Sequence, residues 1–155
     1  MHRRHLLKIA AALVATLPGA AGAAPSLQTA GTTPPELNYL QYCSGCHQSD
    51  GSGSVGNQVP PLPGSVGQFA QTKSGRLFVI QVGGVAQAPI SDAAVAALLN
   101  WMLPAFDTAN LPRDFTPYTT AEVEAARATR PADIAAARAR VVAELHALGR
   151  EVAHY

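Results

Sequence analysis

Residues 37–53 read LNYLQYCSGCHQSDGSG, and within them Cys43 and Cys46 are the only two cysteines of a 155-residue chain. A disulfide between them would close so short a loop that it would remove almost no chain entropy. A zinc site would need two more ligands at matching spacing; the histidines after the motif, His146 and His154, stand far along the chain. A thioredoxin-like redox pair belongs beside a βαβ pattern, and no such pattern is present. The remaining reading uses all five letters of CSGCH. In C-x-x-C-H the two thiols add to the vinyl groups of a haem, and the adjacent histidine, here His47, reaches the iron from the same helical turn.

The residues before this stretch bear on where such chemistry would take place. The chain opens MHRRHLLKIAAALVATLPGAAGAAPS, with a basic start through Lys8, an apolar run from Ile9 to Leu17, then Pro18-Gly19 and small residues. That order reads as a cleaved export signal over residues 1–23, cut after Ala23 in the A-x-A step Ala21-Gly22-Ala23. The apolar run is about half of the roughly 20 residues a membrane span needs, so no stable span is expected once the signal is removed. Arg3-Arg4 also resembles a twin-arginine signal, which leaves the route open and the destination, the periplasm, unchanged. Without Arg3, Arg4 and Lys8 the chain carries 8 basic residues against 10 acidic ones, a net charge of −2. A nucleic-acid partner would need a basic face, and none is expected. Hydrophobic letters make up 48% of the chain but aromatics only 6%. A core that is rich in alanine and poor in bulky side chains has room for a large prosthetic group.

Downstream, Pro34-Pro35 opens a short helix, PELNYLQYCSGC, that carries the motif. A Gly/Ser/Pro-rich loop follows from Asp50 to Gly67, too full of breakers to be regular. SGRLFVIQV (74–82) is an apolar run whose periodicity does not separate helix from strand. VAQAPI after Gly83-Gly84 reads as loop. Ser91 then caps SDAAVAALLNWML, in which Val95, Leu98, Leu99 and Met102 fall on one helix face, and Pro104 is expected to end that helix.

In this order the elements resemble a class I (mono-haem) cytochrome c. LNYLQYCSGCHQSDGSG is similar to that family's haem-attachment segment and DAAVAALLNWML to its last helix, together bracketing residues 34 to 103. The resemblance implies an all-α fold wrapped around one covalently attached haem c, a cytochrome c domain over 24–118, and a first helix that crosses the last, with Tyr39 meeting Trp101. It also implies that in Val59-Pro60-Pro61-Leu62-Pro63-Gly64 the Pro60 carbonyl accepts the second ring N–H of His47 as an outer partner of the iron, and that Leu62 packs on the haem. The family takes its second axial ligand from a Met before a Pro in the loop preceding the last helix. Here Ala88 stands before Pro89, and alanine cannot bind iron. Met102 is the remaining candidate for the sixth ligand, although a Met on an apolar helix stripe is more often core filling. In the C-terminal stretch the stripe is Ile134, Val141, Leu145, Leu148 and Val152, which puts His146 to its side and His154 opposite.

Residues 119–155 lie beyond the resemblance and read as an amphipathic helical C-terminal extension. Thr119 with Glu122 has capping-box spacing, and Pro131 suits the first turn of the last helix. Five arginines (127, 130, 138, 140, 150) balance five acids, the pattern of a solvated amphipathic helix pair with its charges at the surface. The pair of helices either packs back on the rest of the chain or offers its stripe to a partner.

The functional expectation is an electron-transfer protein rather than an enzyme: a periplasmic cytochrome that passes single electrons between redox enzymes or other carriers. No general acid or base is placed near the motif. The competing expectation follows from Ala88, since an open iron could serve a small-ligand sensor or a peroxidase-like enzyme. Peroxide chemistry would want a distal His or Arg, and Leu77 to Ser91 contains neither. In the family an edge of the haem is exposed. The segments that would rim it, Gly51–Thr72 and Leu77–Ser91, contain no charged residue, and a neutral patch with Val55, Val59, Pro61, Val85 and Pro89 is expected there.

Overall fold

The computed structural model describes residues 33–152. The export signal read over 1–23 and the histidine at 154 lie outside the described residues. Eight α-helices and two 3₁₀ turns form among the described residues, with no strand apart from an isolated bridge between Ser54 and Val59. No helix among them is long and apolar enough to cross a membrane.

Helix α1 (Pro35–Tyr42) begins on a proline, whose missing N–H has no helical partner to lose. A break at Cys43 separates it from the single turn α2 (Ser44–His47). After a folded loop comes α3 (Val66–Phe69), then α4 (Lys73–Gln81), capped by Thr72, whose hydroxyl accepts the Gly75 N–H at 2.9 Å. The run whose periodicity was ambiguous is therefore helical. Its apolar residues are consecutive because α4 is covered on more than one side, and Phe78, Val79 and Ile80 are all buried. A turn of helix, α5 (Gly83–Ala86), interrupts the segment expected to be loop.

Helix α6 (Asp92–Asp107) is capped as expected, with Ser91 Oγ accepting the Ala94 N–H at 3.2 Å. It does not end at Pro104. An internal proline deletes a backbone hydrogen bond and costs ~3 kcal/mol, but the last turn is held from outside. Phe106 lies 4.9 Å from the Tyr39 ring and 5.9 Å from Trp101, pairs worth about 0.5–1.5 kcal/mol each. Asp107 accepts the Gly67 N–H at 2.8 Å, a charged bond worth ~1.5–3 kcal/mol. Tyr39 and Trp101 meet at 5.7 Å where α1 crosses α6, the packing expected of the first and last helices.

The C-terminal helices α7 (Thr120–Ala128) and α8 (Ile134–Ala147) pack back, α7 against α4 and α6, α8 against α4 and α3. Several details depart from expectation. Thr119 caps α7 through the Glu122 N–H at 3.2 Å, but the Glu122 carboxylate turns away to Arg76 Nε at 2.5 Å and Nη2 at 2.8 Å, so the capping box is only half made. Pro131 lies ahead of α8 rather than in its first turn; Asp133 is the cap, accepting the Ala136 N–H at 2.8 Å. Leu148 is 58% exposed although the helical stripe would bury it. The helix has already ended. Gly149, at φ +70, turns the chain while its own N–H and that of Arg150 return to His146 and Leu145 carbonyls, a closure only glycine adopts without strain.

Candidate functional site

The one-turn helix α2 and the loop after it build a wall around His47. Gln48 turns the chain at φ 65, and its carbonyl is held by the Tyr39 hydroxyl at 2.6 Å. The loop then folds on itself: the Gly53 N–H donates to the His47 carbonyl at 3.0 Å, Ser54 and Val59 exchange two backbone bonds of 2.9 Å, and the Leu62 N–H reaches the Gly51 carbonyl at 2.8 Å. Gly53 has no alternative here. Its φ is +72, and a Cβ would lie 2.5 Å from the Val59 carbonyl oxygen. The fold of this loop returns Pro60 to the motif, where its carbonyl accepts a hydrogen bond from His47 Nδ1 at 3.2 Å.

That bond leaves Nε2 as the ring nitrogen for a metal. Burial holds the His47 imidazole below its ordinary pKa, with the Pro60 carbonyl pulling the other way, so the ring is neutral near pH 7 as ligation requires. Cys43 is half-buried and Cys46 exposed; neither is in a disulfide. Burial, with a smaller contribution from Cys46, pushes the Cys43 thiol up to about 11. No three His, Cys, Asp or Glu side chains gather as a metal site among the described residues.

Cys43, Cys46, His47, Pro60, Leu62 and Met102 all line one cavity of about 440 Å³, within the ~300–1,000 Å³ typical of cofactor sites. Its other walls are Val59, Pro61, Val66, Phe69, Phe78 and Val79, with Val82 to Val85 closing another side. Two thiols, one neutral imidazole and mostly apolar surroundings suit a flat, hydrophobic macrocycle tethered at one edge and ligated at its metal. The residues present therefore fit a haem c. Met102, 5% exposed, is part of the core as well as of the wall.

The residues beyond the expected ones are informative. Arg138 of α8 also lines the cavity. Charge balance along the tail suggested a solvated residue, yet 134, 138, 141 and 145 recur at helical spacing, and that pattern places Arg138 on the inward stripe. His146 is on the outer side, 3.5 Å from Glu151.

No family model matches the chain. Two curated relatives do, both named cytochrome c-552, one from Thermus thermophilus and one from a specified strain of the same species. Each is 33% identical over 110 aligned residues, which cover 59% of this chain and 82% and 73% of the relatives. With the helix crossing, the C-x-x-C-H turn and the cavity it opens on, this similarity shows that the chain belongs to the class I c-type cytochromes.

Proposed function

We propose that the protein is an exported electron carrier in which one haem c is bound through Cys43 and Cys46, with His47 on the iron, and that it passes single electrons between redox enzymes of the periplasm. The observation that carries this reading is the His47–Pro60 bond beside two thiols on the wall of one apolar cavity. When bound, haem c supplies a one-electron couple whose potential axial ligation can move over ~0.8 V.

Each part of the chain then has a task. The Pro60 carbonyl fixes the His47 tautomer and makes Nε2 more basic. The apolar walls made by Val59 to Leu62, by Phe69, Phe78 and Val79 and by Val82 to Val85 lower the dielectric around the metal site. The Tyr39–Trp101–Phe106 cluster holds α1, which leads into the motif, against α6. Spectroelectrochemical titration of the holoprotein should give a single reversible one-electron wave; a protein that did not return to its starting spectrum would not be a carrier. Sequencing the exported protein should begin at Ala24 if the signal is cut as read.

Met102 fills core space in this reading. Met102→Ala should cost roughly 2–5 kcal/mol in denaturant unfolding while leaving the iron spectrum qualitatively unchanged. Loss of a methionine–iron charge-transfer band in that variant would instead make Met102 the sixth ligand.

Docking is proposed to occur through the rim formed by the two uncharged segments, although the structure brings Arg138 to the cavity wall and Arg127 and Arg130 against the second segment. Val55 is 94% exposed and Pro89 is also exposed, with Val59, Pro61 and Val85 half-buried behind them. Charge-steered association falls steeply with ionic strength, and steering accounts for rate gains of 10- to 1000-fold. Stopped-flow electron transfer with a redox partner should change less than about tenfold between low and physiological salt on that scale. A steep decline would move docking to the charged helices α7 and α8.

A further inference from the structure

The cavity beside Cys43, Cys46 and His47 is apolar or neutral along its walls, with one exception. Among the described residues that line it there is no Asp, Glu or Lys, and Arg138 of α8 alone carries a permanent charge. Arg127 and Arg130 come from the same C-terminal stretch but do not line the cavity. Arg127 donates from Nη1 to the Ile90 carbonyl at 3.1 Å and the Asp92 carboxylate at 2.7 Å, and from Nη2 to the Val85 and Ala88 carbonyls at 3.2 and 2.9 Å. Arg130 Nε donates to the Gln81 carbonyl at 3.0 Å. Those two hold the protein together, whereas Arg138 is set against the space a cofactor would fill.

Packing puts it there. Arg138 shares a helix face with Ile134, Val141 and Leu145, by their spacing along α8. Val141 and Leu145 are buried and Ile134 packs against the core. That face seats α8 on α3 and α4, which give the cavity Val66, Phe69, Phe78 and Val79. An arginine so placed covers apolar surface with its methylene stem and keeps its charged head at the edge. A permanent cation on a mostly apolar wall then selects what fills the space, because a charge facing an apolar occupant is left without compensation while one facing an anion is stabilised. The planar fork of a guanidinium matches a carboxylate with parallel hydrogen bonds. Haem is an apolar macrocycle that carries carboxylate arms away from the vinyl groups the thiols would take, so it satisfies both demands of the cavity.

We infer that Arg138 is a positioning residue that recognises a haem carboxylate, so that the C-terminal extension completes the cofactor site, and that its charge favours the reduced form. Reduction adds one electron beside the guanidinium, and a cation at a low-dielectric wall stabilises it. This inference rests on the proposed haem attachment, and the experiment keeps the two apart. Denaturing extraction of wild-type holoprotein comes first: pigment that leaves the chain sinks covalent attachment and the inference built on it. Mediated potentiometric titration of the covalent holoproteins then reads Arg138 by itself. Arg138→Gln should lower the equilibrium constant for reduction at least about fivefold, which is ~41 mV at 59 mV per tenfold for a one-electron couple. Arg138→Lys keeps the charge without the fork and should stay within about twofold of wild type on that scale. Arg140, exposed two residues on, supplies the control: Arg140→Gln makes the same change of charge and should also stay within about twofold. An unmoved potential in Arg138→Gln would overturn the inference while leaving attachment intact. Equal falls in Arg138→Gln and Arg140→Gln would reduce it to a general charge effect, and a fall that Arg138→Lys does not restore would show that the charge is not the cause. If Arg138→Gln fails to fold, a structure of the wild-type holoprotein decides: a guanidinium nitrogen of Arg138 within ~3.2 Å of a haem carboxylate oxygen supports the assignment, and carboxylates held only by other groups overturn it.

Discussion

Replacing Cys43 and Cys46 together by alanine is expected to abolish chain-bound haem and, with it, the native fold. Both thiols lie on the wall of the same cavity, and the residue between them and the loop, His47, is placed by the same turn. Each single variant retains one thioether at most. The consequence for stability follows from the size of the space involved. Without the haem a mostly apolar cavity of about 440 Å³ has no solid filling, and the side chains that line it lose the packing contacts that would order them. His47→Ala keeps both thiols but removes the nitrogen held by Pro60, so it should retain pigment after denaturation while losing normal iron coordination. Acidified organic extraction followed by absorption of both phases, with circular dichroism of the apoprotein, measures all of this. Pigment leaving the denatured wild type would refute covalent attachment; a stable, fully folded double variant would show that the cavity does not depend on the haem.

The C-x-x-C-H turn was legible in the sequence because it is a local run of five residues in one fixed order, and the Tyr39–Trp101 crossing because the flanking helices resemble a known arrangement. Ser91 was readable as a cap for the same local reason. Where the reading failed, the deciding term was non-local. Pro104 ought to stop a helix on local grounds, and it does not because Phe106 and Asp107 find partners on α1 and α3. Glu122 has the spacing of a capping box, but Arg76, far along the chain, offers it a bidentate pair. The run from 74 to 82 could not be assigned because its neighbours on several sides come from segments after residue 119. Arg127 and Arg138 were counted as surface charges for the same reason: balance along a sequence says nothing of which arginine meets three carbonyls and which faces a cavity.

Those late segments should therefore be indispensable, and ending the chain at Tyr118 is expected to prevent folding. Val123, Ala126, Ala137, Val141, Leu145 and Val152 are all buried, and full burial of side chains of the larger kinds contributes ~1.5–3 kcal/mol each, so their joint loss rivals the ~5–15 kcal/mol available. The connector into α7 would be damaged as well. Asn100 brackets Tyr118, accepting its N–H at 2.6 Å and donating to its carbonyl at 2.9 Å, while the Arg76 guanidinium lies 3.9 Å above the Tyr118 ring and depends on Glu122 for its charge partner. Truncation leaves that cation, and the apolar side of α4, facing water. A graded form of the experiment avoids the ambiguity of a chain that fails outright. Leu145 has 0% exposure and Leu148, three residues on, has 58%. Leu145→Ala should lower unfolding free energy by about 2–5 kcal/mol through the cavity it leaves, whereas Leu148→Ala should stay within about 0.5 kcal/mol of wild type. Equal effects from the two leucines would mean that α8 continues past Gly149 with its stripe intact, and small effects from both would mean that the C-terminal helices are detachable from the haem-binding core.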